Sequence, residues 1–165
     1  MKLLLKRIAI ALLVLLAVAG AVVAIEYFGG QFLGLFSGSR PANLGFNAGK
    51  FTPPNWKPNC VSSTADKSDE KHFIAPLGYV GTSTDAWKKL LDIVKGSQRV
   101  TIVNERANYL YAEFKSGGLG FVDDVEFALD EKAGVIHVRS ASRLGVRDFD
   151  VNRKRIEAIR TQLGK

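Results

Sequence analysis

One cysteine, Cys60, occurs in 165 residues, so no intramolecular disulfide can brace this chain. The residues before it, Trp56-Lys57-Pro58-Asn59, form no lipobox, which removes lipid attachment at that thiol. Histidine is nearly as scarce: His72 and His137 are the two present, and neither belongs to a zinc-type ligand spacing. No nucleophile elbow occurs. Gly117-Gly118-Leu119-Gly120 comes nearest to a phosphate-cradling loop, but it lies between two strand-like runs and reads as a hairpin turn. No cofactor and no metal are therefore expected. Acidic residues are in deficit, and the net charge is +7. A basic domain beside a membrane can lean on anionic headgroups.

Charge is also missing from a long stretch near the start. Lys2, Lys6 and Arg7 precede residues Ile8 to Ile25, which carry none. Counted from Leu3, the run approaches the roughly 20 residues that cross a bilayer's hydrocarbon core. Basic residues before it, with no basic cluster just after it, place the N-terminus in the cytoplasm and the remainder outside. A cleaved signal peptide is the rival reading, with Ala17-Val18-Ala19 and Val22-Val23-Ala24 as small-residue cleavage sites. Its apolar region, however, typically runs only about 7–15 residues. Tyr27, Phe28, Phe32 and Phe36 follow, as an interfacial aromatic belt would. The expectation is a single-pass transmembrane helix within residues 1–28, lipid-embedded, with an exported domain beyond it. Nucleic acid is not an expected partner there.

Residues 29–58 are rich in Gly, Pro and Asn, with Pro41, Pro53, Pro54 and Pro58, and read as an extended tether whose end Phe51 and Trp56 pin to the domain. The domain proper is expected over 59–165. His72 to Val80 is a first short strand, an edge because of Pro76. Thr82 to Lys95 reads as a helix: Thr82 and Asp85 make a capping-box-like start, Trp87, Leu90, Leu91 and Val94 share one face, and Gly96 stops it. Strands follow near Arg99–Glu105, Tyr109–Lys115, Phe121–Asp130 and Val135–Arg143, joined by connections short enough to require antiparallel neighbours. A last helix runs from about Asp150 to Leu163, with Asn152, Ile156, Ile159 and Leu163 inward and an Arg153–Glu157 pair outward. The fold class is α+β: an N-terminal transmembrane helix, then a mainly antiparallel sheet of about four or five strands with two helices packed on its apolar face.

The last two strands carry the most information. If Glu131 to Gly134 turns the chain, Glu126 lies opposite Arg139 and Phe127 opposite Val138. Phe121, Val125, Phe127 and Leu129 then share the core face with Ile136, Val138, Ser140 and Ser142. Asp124, Glu126 and Ala128 share the other face with His137, Arg139, Ala141 and Arg143. One register satisfies both faces.

These segments carry a family resemblance. Asn59-Cys60-Val61-Ser62-Ser63, Phe121-Val-Asp-Asp-Val-Glu-Phe127, Arg139-Ser-Ala-Ser-Arg143 with Gly145, and Asp148 leading to Val151-Asn152-Arg153-Lys154-Arg155-Ile156 resemble the domain of unknown function 1499 family. The resemblance spans roughly Pro54 to Leu163. It implies an exported or membrane-associated protein, here at a bacterial inner membrane with the domain in the periplasm or other extracytoplasmic space, and it implies no reaction. One departure falls after Gly145, where Val146, Arg147 and Asp150 stand in place of an aromatic, a small polar residue and a glycine.

Candidate chemistry concentrates on the charged face. Asp124, Glu126 and His137 are candidates for catalysis on a small anionic substrate, or for a metal, although Arg139 competes for Glu126 and a hard cation wants about six oxygen ligands. Adjacent Asp123 and Asp124 point to opposite faces. Cys60 is a candidate nucleophile with His72 as base, set against simple packing of a buried thiol. Arg139, Arg143, Arg153 and Arg155, with Arg147, are candidates for holding carboxylate or phosphate. Against that, Asp123, Asp124, Glu126, Asp148 and Asp150 can neutralise them internally. Ser140, Ser142 and Asn152 form a candidate buried polar network. The leading expectation is a non-catalytic binding or accessory module engaging an acidic protein surface or anionic lipid. The alternatives are an enzyme or small-anion-binding protein, and a subunit of a larger membrane complex.

Overall fold

The computed structural model of the chain describes residues 6–7, 10–21 and 36–164. Residues 10–21 are helical (α1). Among the described residues no helix is long and apolar enough to cross a membrane, so the expected N-terminal transmembrane helix is not supported. Residues 8–9 and 22–25 of the uncharged run lie outside the described residues. Ala17-Val18-Ala19 falls inside α1, while Val22-Val23-Ala24, Tyr27, Phe28 and Phe32 lie outside the described residues.

Beyond residue 36, the strands are β1 (Cys60–Ser62), β2 (Leu77–Gly78), β3 (Val100–Arg106), β4 (Tyr109–Lys115), β5 (Val122–Asp130) and β6 (Val135–Ser142). The helices are α2 (Ser83–Lys95) and α3 (Val151–Leu163). The sheet runs β1-β6-β5-β4-β3, every pairing is antiparallel, and β2 also pairs with β6. The expectation of four or five strands and two packed helices is thus corrected to six strands and, with α1, three helices among the described residues. The additional strands are short pieces sharing one edge. β1 lies on Arg139–Ala141 of β6 and β2 on Val135–Ile136, so each completes part of β6's outer ladder.

The β5–β6 register pairs Glu126 with Arg139 and Phe127 with Val138, as the alternation requires. One face of the sheet is apolar. Leu110, Ala112 and Phe114 of β4, Val125, Phe127 and Leu129 of β5, and Ile136 and Val138 of β6 join Trp87, Leu90 and Val94 of α2 and Ile156, Ile159 and Leu163 of α3 in one core. The α2 stripe is the i, i+3, i+7 pattern of an amphipathic helix. Thr82 starts that helix, its Oγ1 accepting the Asp85 N–H at 3.1 Å and donating to Asp85 Oδ2 at 2.7 Å. Arg153 does not pair with Glu157. Its guanidinium instead donates to the carbonyls of Glu70, Lys71 and Phe73, and Glu157 pairs with Arg160. Arg160 in turn holds the carbonyls of Ala75 and Pro76. The reason is local: the 70–76 segment makes few ladder bonds, and α3 supplies its missing donors.

Candidate functional site

Alternation places Tyr109, Tyr111 and Glu113 of β4, Asp124 and Glu126 of β5, and His137 and Arg139 of β6 on the face away from the helices, with Arg143 just beyond β6. That face is not open. The segment 36–52 crosses it as a strap without a regular strand ladder, and the strap's backbone bonds to the ladder beneath. Glu126 Oε1 accepts the Gly45 N–H at 2.7 Å and the Tyr109 hydroxyl at 2.8 Å, and its Oε2 takes Arg139 Nη1 at 3.1 Å. Arg139 Nε donates to the Thr52 carbonyl at 3.1 Å. Gly45 has φ +135°, a conformation that favours glycine and lets its N–H turn toward the carboxylate. Phe46 stacks on the His137 ring at 5.4 Å, and Phe51 is buried.

Arg143 is the hub of the second half of the ladder. Its Nε reaches both oxygens of Asp124, at 3.1 and 3.0 Å, and its Nη2 reaches Asp124 Oδ1 at 2.7 Å, the Tyr111 hydroxyl and Glu113. The Tyr111 hydroxyl donates to Asp124 Oδ1 at 2.5 Å, and Arg40 of the strap holds Glu113 at 2.6 Å. Electrostatics follow from this packing. Burial pushes the Glu126 carboxyl up, against the pull of Tyr109, Arg139 and the Gly45 N–H. Burial would also raise Glu113, but Arg40 and Arg143 outweigh it and hold that carboxyl below its ordinary range. The Tyr109 and Tyr111 hydroxyls are pushed up, chiefly by burial and then by the carboxylates they face.

The residues put forward for catalysis are therefore held apart by other partners. Asp124 belongs to Arg143 and Tyr111, and Glu126 to Gly45, Tyr109 and Arg139. His137 Nδ1 meets Ser63 Oγ at 3.1 Å. Among the described residues no group of three or more His, Cys, Asp or Glu could hold a metal ion. Cys60 is 5% exposed, and burial raises its thiol to about 11. His72 is not its base: Nδ1 meets Asp69 at 2.6 Å and Nε2 donates to the Lys57 carbonyl at 3.0 Å. Arg155 is engaged on the helix side, with Asp123 at 2.5 Å and its guanidinium 4.7 Å from the Phe114 ring centroid.

A second polar cluster ties α3 to the sheet. Ser140 Oγ donates to Asn152 Oδ1 at 2.5 Å, and Asn152 Nδ2 donates to Ser142 Oγ, the Asn59 carbonyl and Asp148 Oδ2. Arg155 Nη1 donates to both Ser140 Oγ and Asn152 Oδ1. Asp150 precedes α3 without capping it. Asp148 does so instead, its Oδ2 accepting the Asn152 N–H at 2.9 Å. Asn59 Nδ2 secures the loop from below through the Gly145 carbonyl at 3.0 Å. Above this scaffold Phe149 and Asp150 both sit at positive φ, +54° and +63°, and Phe149 is 82% exposed. Such strain persists where surrounding structure enforces it.

A family model described as a protein of unknown function (DUF1499) matches residues 50–163. The chain belongs to the DUF1499 family. The matched span holds the Asp124/Glu126/Arg139/Arg143 ladder and the Asn59/Asp148/Asn152 cluster, while Arg40, Gly45 and Phe46 of the strap precede it. A comparison with curated proteins finds no match. Sequence reasoning missed the strap residues, because a Gly- and Pro-rich stretch has no periodicity to read. Tyr109, Tyr111 and Glu113 did carry a signal, since β4 alternates as cleanly as β5.

Proposed function

We propose that this DUF1499 protein is a non-catalytic binding module that docks on an anionic lipid surface through the end of the sheet where β6 passes into α3. The observation that carries the reading is the exposed Phe149, held at positive φ. Around it Leu144, Val146 and Val151 are also exposed, as are Arg147 and Lys154. Trp56, 74% exposed, leaves the same end, because it precedes Asn59 and β1 runs antiparallel to β6. Aromatic and aliphatic tips among cations suit the bilayer interface, where rings sit at headgroup level and basic residues meet anionic lipid. Phe36 also lies at this end, packing on Phe121 at 5.2 Å, and the uncharged residues 8–25 precede it in the chain. The Arg139, Arg143 and Arg155 guanidiniums take no part, being engaged within the fold.

Trp56 supplies the test, since Trp87 is buried and shielded from solution. Vesicles containing brominated phosphatidylglycerol should quench Trp56, and Phe149→Ser with Val146→Ser should remove most of the quenching without unfolding the domain. A Trp56 that stays in water on such vesicles overturns the reading. An acidic protein partner would give that same null result on lipid and bind in its absence.

A further inference from the structure

The opposite end of the sheet carries a cleft of about 930 Å³, walled by residues 44–47 of the strap, the β3–β4 turn and the β5–β6 turn. The size falls within the roughly 300–1,000 Å³ of small-molecule sites. Its polar lining is asymmetric. The carboxylates have internal partners: Asp130 Oδ1 accepts the Ala133 N–H at 2.9 Å and its Oδ2 lies 3.8 Å from His137 Nε2, while Glu131 accepts Ser83 Oγ at 3.4 Å. The cations do not. Among the described residues Arg106 and Lys132 meet no carboxylate, and the Arg106 guanidinium lies 6.0 Å from the Tyr109 ring centroid. Asn47, Asn104 and Asn108 line the same cleft, and among the described residues their side-chain amides make no hydrogen bond. Tyr109 has its hydroxyl directed to Glu126, so it offers the cleft its ring.

We infer that this cleft binds a small hydroxylated organic anion, a sugar acid or sugar phosphate, with Arg106 and Lys132 on the anionic group and the asparagine amides on the hydroxyls. An amide presents a donor and an acceptor in one plane and so matches a hydroxyl, which is both. A guanidinium from the end of β3 and an ammonium from the β5–β6 turn match a carboxylate or phosphate. An aromatic ring suits the C–H face of a pyranose. The Gly45–Glu126 bond fixes the strap wall in place, so the site is formed before the ligand arrives and little ordering is needed on binding. The inference is independent of lipid docking, which uses the other end of the sheet.

Isothermal titration of the full chain in detergent micelles tests it, with glucuronate and glucose 6-phosphate as probes and glucose as the neutral control. At least one anion should bind with a Kd of about 1 mM or tighter. Glucose should bind at least about tenfold more weakly, and Arg106→Ser and Lys132→Ser should each weaken the anion about tenfold, the value of one charged hydrogen bond. Both side chains lie at the exposed rim, so the variants should retain the native circular dichroism spectrum. Binding of neither anion at about 50 mM, well above the expected Kd, overturns the inference. So does anion binding that glucose matches, or that both substitutions leave unchanged.

Discussion

Replacing Arg143 by methionine distinguishes a scaffold arginine from a ligand-binding one. The Arg143 side chain is 6% exposed, and its guanidinium serves both oxygens of Asp124, together with Tyr111 and Glu113. Methionine fills similar space but leaves the Asp124 carboxylate, in a residue 1% exposed, with only the Tyr111 hydroxyl. Removing one partner of a buried ion pair costs about 3–5 kcal/mol, because the charge left behind is neither solvated nor paired. A domain of this size has roughly 5–15 kcal/mol of stability, so the variant should still fold but unfold at markedly lower urea. Adding Asp124→Leu should restore most of the loss, since an apolar pair of similar volume is often neutral or better. Urea titrations followed by circular dichroism on the wild type, both single variants and the double variant complete the cycle. A loss under about 1 kcal/mol for Arg143→Met, the level of a surface ion pair, would refute the reasoning, because the guanidinium would then be solvated and free to bind an external anion.

The Cys60 thiol, buried and raised to about 11, should react with iodoacetamide at pH 8 at least about a hundredfold more slowly in the native protein than in urea. Labelling at the unfolded rate would reopen the nucleophile reading. Stability should also fall on mild acidification. His137 is held below its ordinary 6.5 by burial, so the neutral ring stabilises the fold above that value and the contribution is lost as pH drops from about 6.5 through the folded value. Glu113, held below 4.5, adds a further loss as pH falls through its own folded value, while Glu126, raised by burial, acts in the opposite sense. Thermal unfolding between pH 8 and 4 should therefore show a decline beginning near 6.5, and His137→Gln should remove that first step.

The sheet and its two packed helices were legible because their signals are periodic and mutually consistent. Only one register sets Phe127 against Val138 and Glu126 against Arg139, and the structure adopts it. The Thr82 cap and the Trp87, Leu90 and Val94 stripe located α2 for the same reason. β1 and β2 were harder to read. Three and two residues cannot display alternation, and they are strands only because β6 offers each a stretch of unpaired edge. The transmembrane expectation rested on a count of uncharged residues alone, and among the described residues no helix is long and apolar enough to cross a membrane.

The candidate site divides along the same line. Alternation gathered the acids and arginines onto one face, but it could not say whether their partners would be each other or a ligand. That depended on a cover. The strap supplies one through the Gly45 N–H and the Thr52 carbonyl, and backbone groups carry no side-chain signature in a sequence. Once the cover is in place, Asp124 and Glu126 are buried charges that require Arg143 and Arg139. The two proposed recognition surfaces lie outside that buried layer, with Arg106 and Lys132 at one end of the sheet and Phe149 with Arg147 at the other. The charged face then serves to hold those two ends rigid with respect to each other, because a fully satisfied buried network fixes a single arrangement.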